Sequence, residues 1–104
     1  MSYARRVDEN QAQIVAAFRK LGCSVAIIGQ PVDILIGYGG ECLPAEIKDG
    51  DKPPSARKLT KQQRDFFSTW TGGVRLIRNV DDVEAAVKGL MWRCRVLREA
   101  GNKF

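Results

Sequence analysis

At 104 residues, 44% of them apolar, the chain has room for one domain around one modest core. A formal net charge of +5 favours a polyanionic partner. With no histidine, Ser-His-Asp and Cys-His catalysis, His-metal nuclease motifs and histidine phosphotransfer are excluded, and three cysteines without CxxC spacing read as reduced thiols rather than zinc ligands. No phosphate-binding loop of the GxxxxGK type and no GxGxxG run supports a nucleotide-binding fold. No stretch is long and apolar enough to cross a membrane, and MSYARRVDEN lacks the apolar core of a signal peptide, so a cytoplasmic protein is expected.

Residues 1–7 read as a loose basic N-terminus. Asp8 with Gln11 three residues later fits a capping box, and Ile14, Ala17, Phe18 and Leu21 supply the apolar face of a first helix. Leu21-Gly22 closes it. Ser24 to Ile28 is almost continuously apolar, which suits a strand covered on both faces. Gly29-Gln30-Pro31 is a turn.

The next twenty residues, Pro31 to Gly50, read as two short strands joined across Gly37 to Gly40. Asp33 opens the apolar run of the first. Glu46 and Lys48 flank Ile47 in the second and point to one side, because strand side chains alternate. A hairpin sets Asp33 beside Glu46, so that two carboxylates and an ammonium converge on one face. Such a cluster suits a hard divalent cation held by oxygen ligands. The competing reading is a solvated strand face with a cross-strand salt bridge. Pro44 cannot donate a ladder hydrogen bond and is expected at a strand start, an edge or a bulge.

Asp49 to Lys58 is a loop carrying Lys52, Arg57 and Lys58, read as a strap over a phosphate backbone, with a solvated linker as the alternative. Thr60 and Gln63 form a second capping box, with Lys61 between them as a further phosphate contact. Gln63, Phe66, Phe67 and Trp70 fall on one helical stripe. The three aromatics read as core rather than as a base-stacking platform. Gly72-Gly73 ends the helix. Val74 to Arg78 is a fourth strand, parallel to the third because a helix crosses over between them. Asp81 and Glu84 suggest a third capping box, opening a long helix over residues 81–99 with Val83, Val87, Leu90, Met91, Cys94 and Leu97 on one side. Arg93, Arg95 and Arg98 in its second half read as a solvated basic face. The order α-β-β-β-α-β-α makes the chain an α/β sandwich around a mixed four-stranded sheet.

Asp33 followed by Glu46-x-Lys48 resembles the PD-(D/E)XK nuclease superfamily, and most of all its small phage-type, VRR-NUC-like branch, which is similar to Holliday-junction resolvases. Asp8, Asn10 and Gln11 match that branch's Asp-x-Asn-Gln start, and Leu59, Thr60 and Gln63 match its Leu-Thr-x-x-Gln. The resemblance covers roughly Val7 to Ala86. It departs at Val32, which separates Pro31 from Asp33 where the family has the two adjacent.

The resemblance implies a restriction-endonuclease-like three-layer core. It also implies a metal-dependent DNA endonuclease of phage or prophage type, acting in a bacterial cytoplasm and leaving a 5′-phosphate. Asp33, Glu46 and the carbonyl of Ile47 would hold Mg²⁺ or Mn²⁺. Lys48 would position water or stabilise the transition state, and Gln63 would orient water or phosphate. Asp8 or Glu9 is a candidate additional acid, although both also suit a helix N-terminus. Cutting two strands takes two sites, so a homodimer is expected. The alternatives are a nucleic-acid-binding module without useful catalysis, and a partner-binding subunit using the long C-terminal helix.

Overall fold

The computed structural model describes residues 10–48 and 60–101. In chain order it has helix α1 (Gln11–Lys20), strands β1 (Ser24–Ile27), β2 (Ile34–Tyr38) and β3 (Glu41–Ile47), helix α2 (Lys61–Thr69), strand β4 (Arg75–Ile77) and helix α3 (Val80–Gly101). The strands form one open mixed sheet in the order β1-β2-β3-β4. β1, β2 and β3 are an antiparallel meander, and β4 joins β3 in parallel. The parallel step follows from the chain itself, since α2 carries it back to the other end of the sheet. The expected element order and strand directions are therefore present in an α/β chain of three helices and a mixed four-stranded sheet.

Ile34 pairs with Ala45, Ile36 with Leu43, and Ile47 with Ile77. Paired residues share a face, so these apolar side chains line one side of the sheet. α1 and α3 pack against each other and against the sheet. Their Ile14, Val15 and Phe18, and Val83, Ala86, Val87 and Leu90, complete a core with Ile34, Ile36, Ala45, Ile47 and Ile77. By alternation Leu35, Pro44, Glu46 and Leu76 project from the opposite face.

Pro44 sits inside β3, opposite Leu35. The Ile47 N–H is directed toward the β2 side and the Lys48 N–H toward β4, to the Ile77 carbonyl at 2.9 Å. Alternation puts the Pro44 nitrogen on the β4 side, where pairing begins only at Ala45. Proline is accommodated because that stretch of β3 is locally an edge.

The β2–β3 turn is fixed by α3. Gly39 has φ +55°, and a Cβ built on it would lie 2.8 Å from Cys94 Sγ. Arg93 Nε reaches Glu41 Oε1 at 2.9 Å beside it. Gly39→Ala thus adds left-handed strain to a clash with the Cys94 side chain. It is expected to cost about 2 kcal/mol of unfolding free energy, read as a lower urea midpoint at unchanged slope. An unchanged midpoint would mean that the turn is not pinned by α3.

Three expectations are corrected. β1 is not covered on both faces: it is a sheet edge, and Ile27 is 58% exposed. Its continuous apolar run gave no face preference, because only Val25 packs against the core. The α2 aromatics do not enter the core: Trp70 is 44% exposed, and Phe66 and Phe67 are half-buried. α3 is not capped by Asp81. Asn79 Oδ1 accepts the Asp82 N–H at 2.9 Å, and the Asp82 carboxylate accepts the Arg78 N–H at 2.9 Å, so the start lies two residues earlier. The first seven residues, Asp8, Glu9, Lys52, Arg57 and Lys58 lie outside the described residues.

Candidate functional site

The site forms where the β2–β3 hairpin opens, at the end away from its Gly39-Gly40 turn. Asp33 stands one residue before β2, and its carbonyl accepts the Ile28 and Gly29 N–H groups at 3.0 and 3.1 Å. Its carboxylate Oδ2 accepts the Ile47 N–H at 2.7 Å. Asp33 thus extends the β2–β3 ladder with a side chain, and this fixes it against Glu46 and Ile47. The N–H and C=O of one strand residue leave on the same side. The Ile47 carbonyl is accordingly directed toward Asp33 as well.

Glu46 is only 2% exposed. Lys48 Nζ lies 3.4 Å from its Oε2, while Oε1 is buried without a hydrogen-bond partner among the described residues. The Glu46 carboxyl is pushed up to about 8, first by burial, then by the neighbouring Asp33 carboxylate, with the Lys48 ammonium opposing. The solvated surface salt bridge is excluded for this pair by its depth.

The donors suit a hard divalent cation. Two carboxylates and a backbone carbonyl offer oxygen only, one buried oxygen has no hydrogen-bond partner among the described residues, and Glu46 is held in a place that disfavours its charge. No group of three or more acidic or thiol side chains suited to a metal occurs among the described residues. A cation held by these two carboxylates would take its remaining ligands from backbone, water or phosphate.

Gln63 makes the expected capping box: its Oε1 accepts the Thr60 N–H at 3.0 Å, and Thr60 Oγ1 accepts the Gln63 N–H at 3.2 Å. It is also the one buried residue of α2. It lines a cleft of about 360 Å³ with Gly29, Gln30, Pro31, Thr60 and Gln62. The turn in that wall is the one held by the Asp33 carbonyl, so the cleft adjoins Asp33. The structure thus brings Asp33, Glu46, Ile47 and Lys48 together and places Gln63 in the cleft walled by the turn that the Asp33 carbonyl holds. Lys61 is exposed on the first turn of α2.

The sequence around Asn10 points to no role for it beyond a motif match. It stands at the N-cap of α1 but makes no side-chain cap. Its Nδ2 instead donates to the carbonyls of Arg78 and Lys48 at 2.9 and 3.4 Å, tying the ends of β3 and β4 together beside the site. Only the tertiary approach of α1 to those ends could assign this contact.

Comparisons with protein-family models, with curated proteins and with solved structures give no match.

Proposed function

We propose that this chain is a metal-dependent phosphodiesterase that cuts DNA, built on a PD-(D/E)XK-like core. The carrying observation is Glu46, a carboxyl buried beside a second carboxylate and an ammonium, with one oxygen unpartnered among the described residues. A buried polar group of this kind costs on the order of 1–3 kcal/mol unless something satisfies it. A binding-only module gives it no purpose, since carboxylates repel phosphate. The element order, the mixed sheet and the net charge of +5 support the reading.

Asp33, Glu46 and the Ile47 carbonyl would hold Mg²⁺ or Mn²⁺, which when bound polarises a phosphate and lowers the pKa of water. Lys48 places a positive charge next to the same centre, where it stabilises the extra negative charge of the phosphate being attacked. Gln63 keeps the mouth of the site in shape by capping α2 and offers a polar wall to phosphate or water. A homodimer is part of the proposal, because the described residues hold one such centre and cutting both strands takes two.

The test is cleavage of labelled linear, flap and branched DNAs in Mg²⁺ or Mn²⁺, with metal binding followed by calorimetry and mass by sedimentation. Wild type is expected to cut at least one substrate. Lys48→Ala is expected to bind metal but cut on the order of a hundredfold more slowly. Metal binding with Lys48→Ala as active as wild type would remove Lys48 from the chemistry. A monomeric mass with DNA present would remove the dimer.

A further inference from the structure

We infer that Phe66 and Trp70 form a stacking platform for the bases of an unpaired DNA strand leading to the carboxylate site. The inference rests on the nuclease reading for its choice of nucleic acid. The rings of Phe66 and Trp70 are stacked, with centroids 5.1 Å apart and planes 25° apart. Phe67 meets Phe66 edge-on at 5.2 Å. None of the three belongs to the hydrophobic core.

Trp70 is exposed yet held in place. Its Nε1 donates to the Gly73 carbonyl at 3.3 Å. Its six-membered ring edge passes so close to Gly72 that a Cβ there would lie 2.7 Å from Cζ2. A side chain fixed on three sides while 44% exposed loses little entropy when something stacks on it. The base face of nucleic acid is the matching ligand, since every base offers a flat π surface to an aromatic ring.

The charge and the spacing choose the occupant. Lys61 and Arg64 are exposed on the same helix, and the whole chain carries +5, which suits a phosphate strand better than an apolar protein surface. Gln63, in the cleft that adjoins Asp33, and Trp70, the C-cap of α2, continue one stripe and are seven residues apart. That is roughly 10 Å along the helix, about three stacked nucleotides at 3.4 Å each. Duplex bases are already stacked on one another, so the platform selects a strand that has been unpaired.

The experiment uses a Trp92→Phe background, which leaves Trp70 as the sole tryptophan, and is run in EDTA so that no cleavage occurs. Titration with a single-stranded oligonucleotide is expected to quench Trp70 fluorescence saturably, and a duplex of the same sequence to do so far less. By anisotropy of a labelled strand, Trp70→Leu, which keeps apolar bulk against Phe66, is expected to weaken binding roughly 5- to 100-fold. Trp70→Phe, which keeps a ring, is expected to stay within about threefold of the Trp92→Phe parent. Equal affinity for Trp70→Leu and parent, or equal quenching by duplex, would overturn the platform. So would self-association without DNA that Trp70→Leu abolishes, which would give the surface to a second protein chain. Strand binding that depends on Trp70, without cleavage in Mg²⁺, would keep the platform and sink the nuclease. Cleavage with binding indifferent to Trp70 would do the reverse.

Discussion

Asp33→Asn is expected to fold as wild type does and to lose divalent-metal binding and DNA cleavage together. The asparagine carbonyl still accepts the Ile47 N–H that Asp33 Oδ2 now accepts at 2.7 Å. Its amide can also donate toward the buried Glu46 oxygen that has no partner among the described residues. What disappears is one of the two negative charges that would face a cation. The loss in cleavage is expected to be on the order of a thousandfold, or about 4 kcal/mol of transition-state stabilisation. Asp33→Ala removes the acceptor as well. It leaves the N–H of the fully buried Ile47 unsatisfied and is expected to cost a further 1–3 kcal/mol or so of folding stability. The pair separates chemistry from architecture: calorimetry with Mn²⁺ reads the first and urea unfolding the second. Metal binding that survives in Asp33→Asn would refute the assigned ligand set. Loss of stability equal in both variants would mean that Asp33 is chiefly a clasp for the strand.

The second large effect belongs to Glu46. Its folded pKa is raised from 4.5 to about 8. Between those values the native chain holds a proton that the unfolded chain has released. Stability without metal must therefore fall as pH rises through that window and level off above it. A rise of this size amounts to on the order of 5 kcal/mol at 1.36 kcal/mol per pH unit. Glu46→Gln has nothing to ionise there. It is expected to match wild type near pH 4 and to exceed it by several kcal/mol near pH 9 in EDTA.

Asp82 does not blur this window. Its pKa is lowered, first by its hydrogen bond from Arg78, so its contribution is lost only in more acidic solution. The buried Cys23 thiol is shifted up from 9.0 by desolvation and titrates above the window. Mg²⁺ bound only by the folded state is expected to restore wild-type stability at high pH and to leave the variant unchanged. Thermal melts of both proteins from pH 4 to 9, with EDTA and with Mg²⁺, give the difference directly. A difference that stays flat from pH 5 to 8 in EDTA would show that Glu46 is ionised in the native chain and that the burial argument is wrong.

The sequence by itself determined the element order, the turn inside the hairpin and the strand directions. Each depends on local chemistry: Gly22 at a helix end, Gly39-Gly40 in a hairpin, Thr60 and Gln63 at a helix start, and a crossover helix that forces β4 parallel to β3. It also placed Asp33, Glu46 and Lys48 on one face, because alternation in a strand is a rule of the backbone. Tertiary structure alone decided how deep they lie. The residue pattern fitted a solvated salt bridge or a buried centre equally well, and packing put Glu46 out of water. Packing likewise left β1 at an edge and the α2 aromatics outside the core, although their periodicity looked like that of buried elements. A periodic apolar stripe says which side of an element seeks cover. Whether cover exists depends on where α1 and α3 dock, and both chose the other face of the sheet.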